Sequence, residues 1–452
     1  MSRFTTLLVA FSALALGACD SDSDPVPPAQ LPNPGSVNVQ ILHASADAPA
    51  VDVLADGSTL LSGVDYKQSS GWTSLIEGSY DIEVQGILPS GNATVIGPVT
   101  LDFDSGTRYT VAAVNSVAAI EPVVLEQPEE AVSAGAARLF VLHGSAAAPS
   151  VDVFVTAPGA DLAAEAPAGT FAFKETIGPV EVPAGDYQIR VTLEGDASTV
   201  VYDSGTVPLP DGADLVVAAV PNTSGGPAAI NLLALDSSGA AELFDVNTPA
   251  GLRVGHLSPD APTVDVFANA GELLADVPFP AVTDILEVAP GTYTVEVSPA
   301  DQYPGTVVIG PADIPLNAGT TTDVLAVNFL ASIEPLVLSD DRRPVATNAK
   351  VRIVHASPTA QDVDIYVAPP GTDINTVDPT LSAVAFKANT GYIALAGGDY
   401  DVTVTPTGTK TAAIGPATIS IEDGGVYTAI ARDPLPGQAE FGLIVLSDLD
   451  AD

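Results

Sequence analysis

Val37, Val39 and Ile41 alternate with Asn38 and Gln40. The same period of two returns at Val51 and Val53 around Asp52, and at Tyr80, Ile82 and Val84 around Asp81, Glu83 and Gln85. Such alternation places apolar side chains on one face of a strand and polar ones on the other. Val95-Ile96-Gly97-Pro98 leads to Leu101 and Phe103, Tyr109 to Val114 forms a longer β-rich run, and Ile120 to Leu125 closes the series. Gly, Pro, Asn and Asp punctuate these runs. About seven runs per hundred residues, with no sustained helical period, predict an antiparallel β-sandwich.

The pattern repeats along the chain. His43, Ser45, Ala48-Pro49 and Val51-Asp52-Val53 return as His143, Ser145, Ala148-Pro149 and Val151-Asp152-Val153. They return again as His256, Ser258, Ala261-Pro262 and Val264-Asp265-Val266, then as His355, Ser357, Ala360-Gln361 and Val363-Asp364-Ile365. The chain has 4 histidines, and all of them fall here in register with an aspartate at constant separation. Tandem units of roughly 100 residues follow, each of single-domain size and able to bury its own core. A Gly two residues before a Tyr also recurs, at Gly78/Tyr80, Gly185/Tyr187, Gly291/Tyr293 and Gly398/Tyr400, as a tight turn feeding a strand. Thr156–Ala168 and Ala368–Leu381 are insertions in the second and fourth units, of the loop type that commonly carries binding. Short links such as Gln127–Gly135 and Asp340–Asn348 predict beads in a row with limited hinging.

The His-x-Ser…Pro-x-Val-Asp-Val stretch, the Gly-x-Tyr turn and the apolar closing strand resemble the domain-of-unknown-function 4397 family, found in secreted and lipid-anchored bacterial proteins. The likeness covers nearly all of residues 36–448, with Gln361 departing from the motif proline. It implies an immunoglobulin-like sandwich in each unit and an extracytoplasmic place, and no activity. The expected fold is all-β, four tandem immunoglobulin-like antiparallel β-sandwiches after a signal peptide and a flexible tether. The expected boundaries are 1–18 leader, 19–35 tether, and units at 36–130, 131–245, 246–345 and 346–452.

Met1-Ser2-Arg3, the apolar run Phe4 to Leu16, and Leu16-Gly17-Ala18-Cys19 form a secretory signal that resembles a bacterial lipobox. The run is too short to span a bilayer as a mature helix. Cys19 is the only cysteine, so it is the expected lipid acceptor and no intramolecular disulfide exists. Asp20 to Gly35 is rich in Asp and Pro and reads as a tether. The expected place is the bacterial cell envelope, at the periplasmic face or cell surface, held to the membrane by the N-terminal lipid only.

The net charge of −42, from 56 acids and 14 Lys plus Arg, argues against nucleic acid and against anionic lipid surfaces. It favours solubility and repulsion between units. Candidate chemistry is thin. His43/Asp52, His143/Asp152, His256/Asp265 and His355/Asp364 could form general-base pairs beside Ser45 and its equivalents, but no nucleophile elbow or oxyanion loop accompanies them. The favoured reading ties each imidazole to a carboxylate or backbone carbonyl at the first corner of its sandwich, with Ser45 capping turn amides. One histidine per unit is a poor transition-metal site. Asp104-Ser-Gly-Thr107 and Asp203-Ser-Gly-Thr206 mimic a protease dyad, yet they fall at different places in their units and read as turns. Ser339-Asp340-Asp341 and Asp448–Asp452 are where clustered oxygens would take Ca2+, without a calcium-loop motif; no cofactor is expected. Trp72 reads as packed against its own sheet, with a sugar platform as the alternative. The sequence therefore favours a structural or interaction role in envelope, matrix or adhesion. A polysaccharide- or peptide-binding module using the inserted loops comes second, and a hydrolase third.

Overall fold

The computed structural model describes residues 35–448. The leader, Cys19, the tether up to Pro34 and the tail after Asp448 lie outside the described residues. Among the described residues the regular elements are strands and four short 3-10 turns, and no helix is long and apolar enough to cross a membrane.

The first unit consists of β1 (Ser36–His43), β2 (Val51–Ala55), β3 (Ser58–Val64), β4 (Thr73–Ile76), β5 (Gly78–Gly86), β6 (Ala93–Phe103), β7 (Thr107–Val114) and β8 (Glu121–Pro128). These form two sheets of four strands, β4-β1-β7-β8 facing β3-β2-β5-β6. Their inward side chains, among them Val37, Val39, Ile41, Val53, Ile82, Val84, Phe103 and Val111, make one core. Each such side chain stabilises the unit by about 1.5–3 kcal/mol relative to exposure. The order repeats in all four units. In the second, Ala240–Leu243 extends the first sheet to five strands. In the third, the strand equivalent to β4 is split into Ala281–Val282 and Leu286–Val288.

The tandem β-sandwich organisation is as the alternation predicts. The strand order adds a detail that an immunoglobulin-like label does not carry. An immunoglobulin constant domain groups strands A, B, E and D against C, F and G. Here the first strand lies between the fourth and seventh, and it runs parallel to the seventh, with Val39 opposite Tyr109 and Ile41 opposite Val111.

The recurring turns have identifiable causes. The Tyr80, Tyr187, Tyr293 and Tyr400 hydroxyls each donate to the carbonyl four residues earlier, Ile76, Pro183, Ala289 and Ala396, at 2.8–2.9 Å. The phenol thus fastens the corner that the preceding glycine turns. Gly97 has φ +86°, and a Cβ there would lie 2.4 Å from the Ile82 carbonyl oxygen. Ile-Gly-Pro therefore marks a bulge in the β5–β6 ladder that only glycine can occupy without strain. Of the two protease-like tetrapeptides, Asp104–Gly106 is a turn. Asp203–Thr206 instead lies inside the strand Asp196–Leu209, at a register shift.

The units are not beads in a row. The outer face of the first unit's β4-β1-β7-β8 sheet is buried as well, because Leu42, Ala112, Val114 and Leu125 pack with Phe140, Leu142, Val216, Ala218 and Leu233 of the second unit. The third and fourth units meet in the same way through Leu257, Leu325, Val327 and Leu338 against Val354, Ala356 and Ile430. The chain therefore forms two pairs, each a face-to-face packing of equivalent sheets. The physical reason is visible in β7, where consecutive residues from Tyr109 to Val114 are buried. A strand covered on both faces cannot alternate.

Candidate functional site: the histidine corners and the four-unit junction

Each motif histidine ends the first strand of its unit and turns back over the following loop. Nε2 of His43 lies 3.0 Å from the Pro49 carbonyl oxygen. His143, His256 and His355 repeat this with Pro149 at 3.3 Å, Pro262 at 3.0 Å and Gln361 at 2.6 Å. The main-chain N–H of Ser45, Ser258 and Ser357 donates to Nδ1 of its histidine at 3.3–3.4 Å. A ring whose Nδ1 accepts and whose Nε2 donates is neutral. Burial pushes the pKa of His43, His256 and His355 below the usual imidazole value. An aromatic edge completes three corners, from Tyr66, Phe279 and Phe386.

The motif aspartates do separate work. Asp52 accepts from Ser62 Oγ at 2.7 Å, the Gly63 N–H at 3.0 Å and Asn92 Nδ2 at 2.9 Å, and these hydrogen bonds, Ser62 first, hold its pKa down. Asp152 accepts from Thr170 and Gly195, Asp265 from the Asp276 and Asp301 amides, and Asp364 from the Ala383 and Gly408 amides. In every unit the carboxylate clamps the two hairpins beside the motif strand. None of these bonds goes to the histidine, so the sequence pairing of His with Asp is not a contact. The four imidazoles stay in four separate corners.

What the structure does bring together lies at the junction of the units. The loop Asp65-Tyr66-Lys67 of the first unit is the hub. The Tyr66 hydroxyl donates to the Pro221 carbonyl at 2.5 Å, and Lys67 Nζ meets Glu242 at 2.5 Å, both in the second unit. Arg343, in the link before the fourth unit, donates to the carbonyls of Ala46 and Ala48 at 3.1 and 2.8 Å. It also pairs with Asp65 at 2.5 Å. The Ala346 N–H reaches the Asp47 carbonyl at 2.8 Å. This link thus docks on the histidine corner of the first unit and joins the two pairs. Pro49 is accordingly buried, whereas Pro149, Pro262 and Gln361 are exposed. A polar cleft of about 680 Å3 remains between the pairs, bordered by Asp65, Lys67, Ser224, Thr321, Asp341 and Arg343.

Beside the cleft, the third and fourth units exchange charges. Arg253 reaches Asp448 at 2.5 Å, while Arg352 reaches Asp323 at 2.6 Å and also pairs with Asp340. All five groups are buried, and Asp323 is pushed up to about 7 by desolvation and by the Asp340 charge. The Asp-rich joint considered for Ca2+ is thus occupied by counter-charges, including Lys350 on Asp341 at 2.6 Å. Among the described residues no group of three or more His, Cys, Asp or Glu is placed to hold a metal ion.

Trp72 lies under the Arg108 guanidinium of its own sheet at 5.1 Å, and its main-chain N–H points to the Ser237 carbonyl of the second unit at 3.5 Å. The inserted loops are folded. Asp161 caps the 3-10 turn Leu162–Ala164, and Arg190 donates to the Ala160 carbonyl at 2.8 Å. Asp373 caps Ile374–Thr376, and Lys410 donates to the Ile374 and Val377 carbonyls.

Sequence reasoning overlooked the junction. Its signal was the residue three before each histidine: Gln40, Phe140, Arg253 and Arg352. In an alternating strand a charged residue ordinarily marks the solvent face, so Arg253 and Arg352 read as exposed, and only Phe140 hinted at a covered face.

A family model described as "Domain of unknown function (DUF4397)" matches residues 37–154, 250–366 and 368–452. No curated protein matches the chain.

Proposed function

We propose a role from the premise that the chain belongs to the DUF4397 family, a domain of unknown function. The protein is a lipid-anchored, extracytoplasmic scaffold with a structural or interaction role in envelope, matrix or adhesion, and it performs no catalysis. The observation that carries this reading is the engagement of the repeat motif. Its imidazoles bind main-chain carbonyls, and its carboxylates bind amides and hydroxyls, all within their own units, and the chemistry-bearing residues thereby serve the fold. The lipobox-like segment ending at Cys19 supplies the anchor, and the acidic surface keeps nucleic acid away. Partners are envelope proteins or polysaccharides.

Cell fractionation tests the anchor. The full chain partitions into the detergent phase and Cys19→Ser does not; equal partitioning of both, or an unmodified Cys19 thiol in the mature protein, contradicts it. Turnover of ester, peptide or glycoside substrates that is lost in His143→Ala while the fold is kept would establish the hydrolase alternative instead.

A second reading, polysaccharide or peptide binding by the inserted loops, is favoured by their pinned geometry. Arg190 and Lys410 hold loops 156–168 and 368–381 to their sheets before any ligand arrives, which lowers the ordering cost of binding. Glycan-array binding that disappears in Arg190→Ala and Lys410→Ala would select this reading over a purely structural one.

A further inference from the structure

Three lysines cross between paired units to a glutamate: Lys67 to Glu242, Lys174 to Glu121 and Lys387 to Glu334. Two of these pairs are ordinary surface ion pairs, with side chains 38–44% exposed. The first differs in its surroundings. The Ala240–Leu243 strand of the second unit brings Glu242 over the junction, where the Lys67 and Glu242 side chains are only 16% and 20% exposed. Asn231, on the neighbouring strand Ile230–Leu235, is fully buried. Its Nδ2 donates to the same Glu242 Oε1 that accepts from Lys67, at 2.6 Å against 2.5 Å. Its carbonyl oxygen Oδ1 has no hydrogen-bond partner. Unsatisfied buried carbonyls are rare and call for an explanation.

An amine, a carboxamide and a carboxyl sharing one oxygen in a site walled by Tyr66 are the components of an acyl transfer. We propose that Lys67 and Asn231 join in an isopeptide bond that locks the first unit to the second, with Glu242 carrying the proton. Glu242 takes a proton from the Lys67 ammonium, and the freed Nζ attacks Cγ of Asn231. A new N–C bond forms, Glu242 returns the proton to Nδ2, and the C–Nδ2 bond breaks. Ammonia leaves and takes up the remaining proton as ammonium. Charge and atoms balance, and no oxidant or external reactant is needed. Burial favours the step, because it lowers the Lys67 pKa and so makes the neutral nucleophile more accessible. Lys387 is the internal control. Asn328 Nδ2 also reaches the oxygen that Lys387 binds, at 3.2 Å, but the lysine is 39% exposed to solvent.

The test is peptide mapping of the full chain after denaturation and tryptic digestion, which does not depend on the state of the N-terminus. The expected result is a branched peptide containing Lys67 and Asn231, lighter than its two parts by one ammonia, with no cleavage after Lys67. Peptides around Lys174 and Lys387 remain unlinked. Lys67→Arg and Glu242→Gln both lack the branch and run more slowly on a denaturing gel than the wild-type chain. Wild-type protein that yields only the free peptide ending at Lys67 overturns the proposal, whatever the variants do. So does a branch that forms undiminished in Glu242→Gln.

Discussion

The two pair interfaces use equivalent sheets and both carry ion pairs, Arg108 with Asp214 among those of the first, but they fill their central positions with different chemistry. Between the first and second units the central positions are neutral. Gln127 donates to Thr110 at 2.9 Å, Gln40 donates to Ser69 at 2.8 Å and to the Asp236 carbonyl at 2.9 Å, and Phe140 and Val216 fill the facing side. Between the third and fourth units the equivalent positions hold Arg253, Asp323 and Asp340 against Arg352, Thr428 and Asp448. The exchange there is reciprocal, since each unit's arginine binds an aspartate at the end of the other unit's last strand, Asp340 within it and Asp448 just after it. One fold thus supports two ways of specifying a partner sheet. Amides and apolar groups cost little to bury. Buried ions are costly unless every one is matched, and so they reject any sheet that lacks the complementary set. The lesson is that pairing comes from double-sided burial, while the choice of partner comes from a few polar positions within it.

The largest expected effect separates the interfaces by one substitution in each. Arg352→Ala leaves Asp323 and Asp340 short of their counter-charge and should cost about 3–5 kcal/mol. Gln40→Ala at the equivalent position should cost about 1–2 kcal/mol. Denaturant unfolding read by hydrogen exchange over residues 250–448 and 36–243 checks both, and equal losses would erase the distinction.

Next is the docking of one pair on the other. Arg343→Ala removes a buried guanidinium from two carbonyls and from Asp65, at an expected cost of about 2–3 kcal/mol. The pairs stay intact, and small-angle scattering shows the chain opening between them. An unchanged scattering profile would show that the pairs are held together by something else.

The interfaces also differ in pH response. The folded pKa of Asp323, raised to about 7, lies above its unfolded value. Its stabilising contribution is complete below the unfolded pKa and is lost as pH rises through about 7. His43, His256 and His355 act in the opposite direction. Their lowered pKa means that the unfolded chain binds more protons, so stability falls as pH drops below about 6.5. Exchange protection in the first pair should therefore decline only toward acid. The second pair should also weaken from mildly acidic to alkaline pH, and Asp323→Asn should remove that second decline. The smallest effect belongs to the surface pairs, with Lys174→Ala or Lys387→Ala costing at most about 1 kcal/mol by thermal unfolding.

Much of each unit was legible in the chain. Alternation around Asp52 and Asp81 marks strands, and Gly78 before Tyr80 marks a corner, because those signals depend on neighbours in sequence. The histidine corner was legible as a tie at the first bend of the unit, but its partner was not, since the loop 44–50 lets the ring reach either a carboxylate or a carbonyl. The pairing was written in the continuous burial of β7, yet a fully apolar strand does not say what covers its second face. The role of Arg343 was invisible, because a charged residue in a short link ordinarily faces water.

Methyl–methyl NOEs on selectively labelled protein measure the paired-sheet arrangement most directly. Leu42, Ala112 and Leu125 should show cross-peaks to Leu142, Val220 and Leu233, and Leu257 and Leu325 should show them to Val354 and Ile430. Spectra with NOEs confined to single units, and none across these two seams, would contradict it.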